Sequence, residues 1–160
     1  MDEHAMQTIG PALGRIPSGL FIVTAEHEDR RGAMLASWVQ QASFHPPMVS
    51  VAIGKGRPIM PLISESLKFG LCQVPQGDRE LLRRFARGFE QGEDPFLGCD
   101  LIESVLGVPI VPHVLAYLEC EVAYHMDIEG DHDIFVGQVK AGRFVDGVPQ
   151  VHVRENGFKY

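Results

Sequence analysis

Three groups of residues carry side chains suited to chemistry. The first is the stretch from Ala36 to Ser43, where Ser37, Gln40, Gln41 and Ser43 offer hydroxyl and carboxamide hydrogen bonds among residues that are otherwise small, apart from Trp38. Small side chains admit a ligand close to the backbone, so the segment suits something flat with polar edges. Its plain alternative is a polar connector between strands. The second group is Gly54-Lys55-Gly56-Arg57-Pro58. Glycines there can present successive N–H groups, and the two cations can neutralise a phosphate, arginine bidentately. It lacks the spacing of a Walker A loop, and by residue type alone it reads also as a basic turn. The third is Asp131-His132-Asp133, an imidazole between two carboxylates at the entry to an apolar run. A lone histidine is more often structural or superficial than catalytic. The other six histidines, His4, His27, His45, His113, His125 and His152, show neither HxxxH nor HxH spacing, and Glu90, Glu93 and Asp94 read as a solvated loop, so no metal centre is expected.

Strands must position these groups. Met34 and Leu35 carry a strand toward Val39, and Val49, Val51 and Ile53 alternate with smaller residues in another that leaves the polar stretch, with Pro46-Pro47 stiffening its exit in an extended form. Before them, Glu3 to Leu13 is expected to form a short helix interrupted at Gly10-Pro11. Pro17-Ser18-Gly19 turns the chain, Leu20 to Ala25 is a strand, and Glu26 to Arg31 a charged hairpin tip. After them, Ile59, Leu62, Ile63 and Leu67 fall at helical spacing, Lys68 to Val74 reads as a strand, and Asp78 caps a helix whose Leu81, Leu82, Phe85 and Phe89 share a face while Arg79, Arg83 and Arg84 point to solvent. Arg87 to Phe96 is a glycine-punctuated loop whose aromatics can cover a ring, and Cys99 to Val111 is irregular. A long strand follows, with Ala116, Leu118, Cys120, Val122, Tyr124 and Met126 on one face and Tyr117, Glu119, Glu121 and His125 on a wet one. His132 to Val139 and Val148 to Val153 are the last strands. Strands this frequent, with few helices between them, predict a mainly β fold closed as an antiparallel barrel, which removes sheet edges.

Composition narrows the function classes. The chain has 160 residues and a formal charge of −7, with pI near 5.4, which argues against a nucleic-acid partner because phosphate backbones demand a basic face. One domain over residues 1–160 is expected, large enough to bury ~70% of the surface its unfolded chain exposes. Cys72, Cys99 and Cys120 are odd in number and widely spaced, suggesting neither disulfides nor zinc and favouring the cytoplasm. Met1-Asp-Glu-His opens without a basic or apolar leader, so neither a signal peptide nor a membrane span is expected.

The run Ala33-Met-Leu-Ala-Ser-Trp-Val-x-Gln-x-Ser-Phe-x-Pro-Pro-x-Val-Ser-Val-Ala-Ile53, with Pro17 to Thr24 before it, Gly130-Asp-His-Asp-Ile-Phe-Val-Gly137 after it and the Gly157 to Tyr160 end, resembles the flavin reductase-like family of FMN-binding split barrels. That resemblance implies a six-stranded antiparallel Greek-key split barrel with a few peripheral helices, and a flavin reductase that passes hydride from NAD(P)H to FMN and electrons on to free flavin or a partner oxygenase. An FMN-binding electron carrier on the same barrel is the alternative reading. It also implies FMN contacts from Leu35, Ala36, Ser37, Trp38, Gln41, Ser43, Ala52, Ile53, Lys55 and Arg57, with His132, Arg87 and Phe89 at the nicotinamide. Where similar proteins carry Thr-Ala-Ser-Ser this chain has Leu35-Ala36-Ser37-Trp38, so at 35 and 38 the backbone N–H is the expected donor. A homodimer is implied too, with the Phe158-Lys159-Tyr160 end docking on the partner.

Overall fold

In a computed structural model describing residues 2–159, β2 (Phe21–His27) and β3 (Arg30–Ala36) form a hairpin, and β4 (Val39–Ser43) and β5 (Met48–Gly54) form another. With β6 (Lys68–Gln73), β7 (Ala116–Met126) and β8 (His132–Phe144) they make one antiparallel sheet in the order β3-β2-β6-β7-β8-β5-β4. The fold is therefore mainly β. Its two edge strands, β3 and β4, are consecutive in sequence and joined only by Ser37 and Trp38, so the chain itself draws the edges together at that corner. A separate ribbon pairs β1 (Ser18–Gly19) with β9 (Val151–His152). Among the described residues three helices flank the sheet: α1 (Glu3–Gly14), α2 (Ile59–Ser66) and α3 (Arg79–Phe85). No helix among the described residues is long and apolar enough to cross a membrane.

Alternation builds the interior. Val49, Val51 and Ile53 on β5 point inward beside Val23, Phe69, Leu71, Cys120 and Phe135, and α2 closes one end with Ile59, Leu62 and Ile63. Burying each of these large side chains contributes about 1.5–3 kcal/mol. Outward residues of the same strands, Ile22 on β2 and Cys72 on β6, form a second core with Leu81 and Phe85 of α3 and with Phe96, Val108, Ile110 and Val111 from the irregular segment. The barrel is thus covered on one side by the chain between α3 and β7.

Several expectations need correction. The polar stretch is not a loop, because Val39 to Ser43 pairs with β5 and raises the sheet to seven strands. Pro46 and Pro47 lie in the turn of that hairpin, with a cis bond at His45–Pro46, rather than in an extended exit. Helix α1 runs through Pro11; Asp2 caps its start by accepting from Ala5 N at 2.7 Å, and Gly10 and Gly14 accept backbone bonds from Gly157 and Arg154 that hold the helix to the C-terminal segment. Ser18–Gly19 is a short strand, not only a turn. Leu67 ends α2 in the left-handed region and is exposed. Asp78 caps α3 as expected, accepting from Leu81 N at 2.9 Å, but that helix stops at Phe85, and Phe89 reaches the same core edge-on from the following loop. Arg84 does more than meet solvent, since its guanidinium donates to the carbonyls of Pro95 and Leu97. Tyr160 lies outside the described residues.

On β7 the expected faces hold only as far as Val122. An extra residue at Ala123 shifts the register against β8, so that His125 instead of Tyr124 comes opposite Phe135 and stacks on it, centroids 4.2 Å apart. Tyr124 turns outward. Glu119 is buried, not wet.

Burial decides the fate of the thiols. Cys72 and Cys120 are fully buried and desolvation pushes each up to about 12, whereas Cys99 is half-buried. A thiol-specific alkylating reagent near neutral pH is expected to modify Cys99 alone, and all three cysteines once the protein is unfolded. Peptide mass spectrometry reads the difference.

Candidate functional site

Strand register brings the three groups of chemically capable residues to one end of the barrel. Trp38 O accepts from Ala52 N at 3.0 Å, which seats the Ser37–Trp38 corner beside the end of β5. Across β5, Gly54 pairs with His132 at the start of β8. The imidazole and the indole therefore meet, with ring centroids 4.6 Å apart and tilted by 46°. On the indole's other neighbourhood the Arg154 guanidinium lies 5.2 Å from the ring centre, so the C-terminal segment reaches the site.

Gly54 leaves a gap there. A Cβ at this position would come 3.7 Å from Arg57 Nε and 3.7 Å from His132 Nε2, which marks bare backbone flanked by a guanidinium and an imidazole. Arg57 extends onward, its Nη1 3.9 Å from where a Cβ on Gly88 would sit. Beyond it opens a cavity of about 810 Å³, walled by β3 around Gly32, by Arg57 and the start of α2, and by the loop carrying Phe89. Its size is that of a small-molecule site.

Polar partners divide these residues into engaged and available. His132 Nδ1 lies 2.7 Å from Asp131 Oδ1; that hydrogen bond and the imidazole charge hold the Asp131 carboxyl below the usual range. Because a carboxylate only accepts, Nδ1 carries the proton and a neutral ring offers Nε2 as an acceptor. Ser37 Oγ is buried and has no hydrogen-bond partner among the described residues, a state that calls for a ligand or water. Lys55 is engaged: its ammonium donates to Asp127 Oδ1 at 2.7 Å and Ile128 O at 2.9 Å, and Asp133 Oδ1 is 3.6 Å away. The ammonium is raised above its ordinary pKa, chiefly by the hydrogen bond to Asp127, and Asp127 is lowered by the same bond. Arg57 makes no side-chain ion pair or hydrogen bond among the described residues.

The remaining expected site residues are spread around this centre. Ala36 is buried at the end of β3, and Ile53 points into the barrel, so only its backbone is open to a ligand. Leu35 packs against the second core. Gln41 is exposed and spends its amide on Ser43 O. Arg87 pairs with Glu93 and covers Phe89, 5.0 Å from the ring centre. That pairing raises Arg87 and lowers Glu93 from their ordinary pKa values. Sequence reasoning missed the tether of Lys55 to Asp127 and Asp133, and the hydrogen bond of 2.7 Å between His125 Nε2 and Asp133 Oδ2. A signal existed for Asp133: it shares the parity of Phe135, and so points inward.

The family model described as the flavin reductase like domain matches residues 13–157. A curated protein, diflavin flavoprotein A 1 of Synechocystis sp., is 43% identical over 152 residues, which are 93% of this chain and 26% of that protein. The chain thus spans about a quarter of the length of the curated relatives it matches. Of solved structures, the flavin reductase PheA2 is 25% identical with a TM-score of 0.79, covering 96% of this chain and 94% of that one. An FMN-binding protein from Thermus thermophilus, with bound 1-cyclohex-2-enone, is 28% identical with a TM-score of 0.70, over 80% of this chain and 71% of that one.

Proposed function

Because this chain belongs to the flavin reductase-like domain family, we propose that it is an oxidoreductase domain, residues 1–160, that binds FMN and reduces it with NAD(P)H. One observation carries the reading: the bare backbone at Gly54 is flanked by Arg57 and His132, the His132 ring meets Trp38, and the neighbouring corner holds the Ser37 hydroxyl, which has no hydrogen-bond partner among the described residues. A ligand with a flat ring, hydroxyls and a phosphate meets each of those groups with a complement.

A bound flavin supplies the redox chemistry, taking hydride from a nicotinamide and passing electrons on. The chain's own residues supply placement. Ser37, Gln41 and Ser43 hydrogen-bond the ribityl chain and ring edge, with backbone N–H groups at Leu35 and Trp38. Ala36, Ala52 and Ile53 let the ligand lie against backbone, and the turn of Lys55 and Arg57 faces its phosphate. His132 meets the carboxamide of the nicotinamide, and Arg87 and Phe89 cover it from the loop above. The domain works as a homodimer in the cytoplasm, with free flavin, an oxygenase or another acceptor taking the electrons. In a longer polypeptide of the kind its curated relatives form, that acceptor can be a neighbouring module.

The test is anaerobic stopped-flow mixing of the FMN-loaded protein with NADH and, separately, NADPH. Loss of the visible flavin absorption within the turnover range of ~1–10³ s⁻¹ is expected. Calorimetry that finds no FMN uptake would overturn the reading, and tight uptake without bleaching by either nucleotide would leave an electron carrier in its place.

A further inference from the structure

We propose that within the cationic turn Arg57 alone contacts the flavin phosphate and sets the preference for a phosphorylated flavin, while Lys55 is a positioning residue acting through Asp127 and Asp133. This division of roles rests on the flavin reading above and goes beyond it.

An ammonium has three protons to give. Lys55 gives one to Asp127 Oδ1 and one to Ile128 O, and its remaining side faces Asp133 Oδ1. Two carboxylates face the one ammonium. A phosphate approaching Lys55 would be repelled by Asp127 and Asp133, or would have to displace hydrogen bonds already made. No such competition exists at Arg57. Its guanidinium lies between Gly54 and Gly88, forms part of the cavity wall and has no hydrogen-bond or ion-pair partner among the described residues to give up.

Lys55 instead fastens two turns together. Its backbone N–H donates to Asp131 O at 2.9 Å while its side chain grips Asp127 and Ile128. The residue therefore binds the turn after β5, which carries Arg57, to the turn before β8, which delivers His132. Asp133 anchors the joint from below, since its other oxygen meets His125, whose ring is stacked on the buried Phe135. The separation between phosphate site and imidazole is thereby fixed by core packing.

Affinities for FMN and for riboflavin, which lacks the phosphate, separate the two roles. Fluorescence titration of the wild-type chain is expected to show a preference for FMN. Arg57→Gln should cut that preference about tenfold or more while leaving riboflavin affinity within about threefold, as loss of a charge-assisted contact to the phosphate alone requires. Lys55→Met should weaken both ligands by a similar factor and keep the preference. Asp127 is exposed, so Asp127→Asn tests the tether without burdening the fold: it should leave the preference within about threefold. Loss of the preference in Lys55→Met with its retention in Arg57→Gln would overturn the assignment, and so would a selective tightening of FMN in Asp127→Asn, which would mean that a freed Lys55 takes the phosphate. Uptake of neither compound by the wild-type chain would overturn the flavin reading itself, and is distinguishable from both.

Discussion

Replacing Glu119 with alanine is expected to destabilise the protein by about 3 kcal/mol, measured as a shift in the urea unfolding midpoint at constant slope. The carboxylate is 1% exposed and accepts three hydrogen bonds: from Ser104 Oγ at 2.8 Å, Val105 N at 3.2 Å and Leu106 N at 2.7 Å. Alanine would take the acceptor from three part-buried hydrogen bonds, and hydrogen bonds to a charged group are worth about 1.5–3 kcal/mol each. Release of the carboxylate's own desolvation cost offsets part of the loss, which is why the total stays near the value of one or two such bonds. Glu119→Gln keeps an acceptor in place and is expected to cost less. The damage should be local first. Ser104 Oγ also accepts from Val108 N, and Val108, Ile110 and Val111 cover the second core, so hydrogen exchange of the Val105, Leu106 and Val108 amides should accelerate in Glu119→Ala before the barrel strands respond. Unchanged protection there would show that the segment is held by its apolar contacts alone.

Glu119 also shows where sequence reasoning stopped. Period-2 alternation placed Leu118, Cys120 and Val122 correctly, because local strand geometry fixes which side chains share a face. It assigned Glu119 to water because nothing local reveals that residues 104–108, more than ten positions away, fold over that face. The same limit explains His125. One extra residue at Ala123 reverses parity beyond Val122, and a bulge leaves no mark in an apolar alternation. Val39 to Ser43 was misread for a related reason: its Gln and Ala residues have little strand preference, and its strand state comes from pairing with β5. By contrast the placement of the candidate residues Ser37, Arg57 and His132 was legible, since each stands beside punctuation that the backbone obeys: the corner between β3 and β4, the glycine turn after β5, and the turn before β8. What the sequence could not convey was which cation is already occupied, because Asp127 and Asp133 approach Lys55 from more than seventy residues away.

His132→Phe is expected to slow bleaching of the FMN-loaded protein by reduced nicotinamide about 10²-fold while leaving FMN affinity within about threefold. Phenylalanine keeps a ring against Trp38, so the contact of 4.6 Å between centroids survives and the variant tests the nitrogens alone. Asp131 holds Nδ1, which leaves Nε2, beside the gap at Gly54, to meet the incoming carboxamide. Losing that contact costs orientation at the moment of hydride transfer, when a displacement of about 1 Å is enough for a 10²-fold loss. His132→Asn retains a polar side chain near the same place and should recover about tenfold of the loss. Asp131→Asn keeps an acceptor for Nδ1 on an exposed residue and should change the rate by less than about threefold. If His132→Phe bleached at the wild-type rate, the imidazole would be a packing partner of Trp38 and nothing more. If instead FMN affinity collapsed and the rate of the loaded protein did not, His132 would belong to the flavin edge rather than to the nicotinamide.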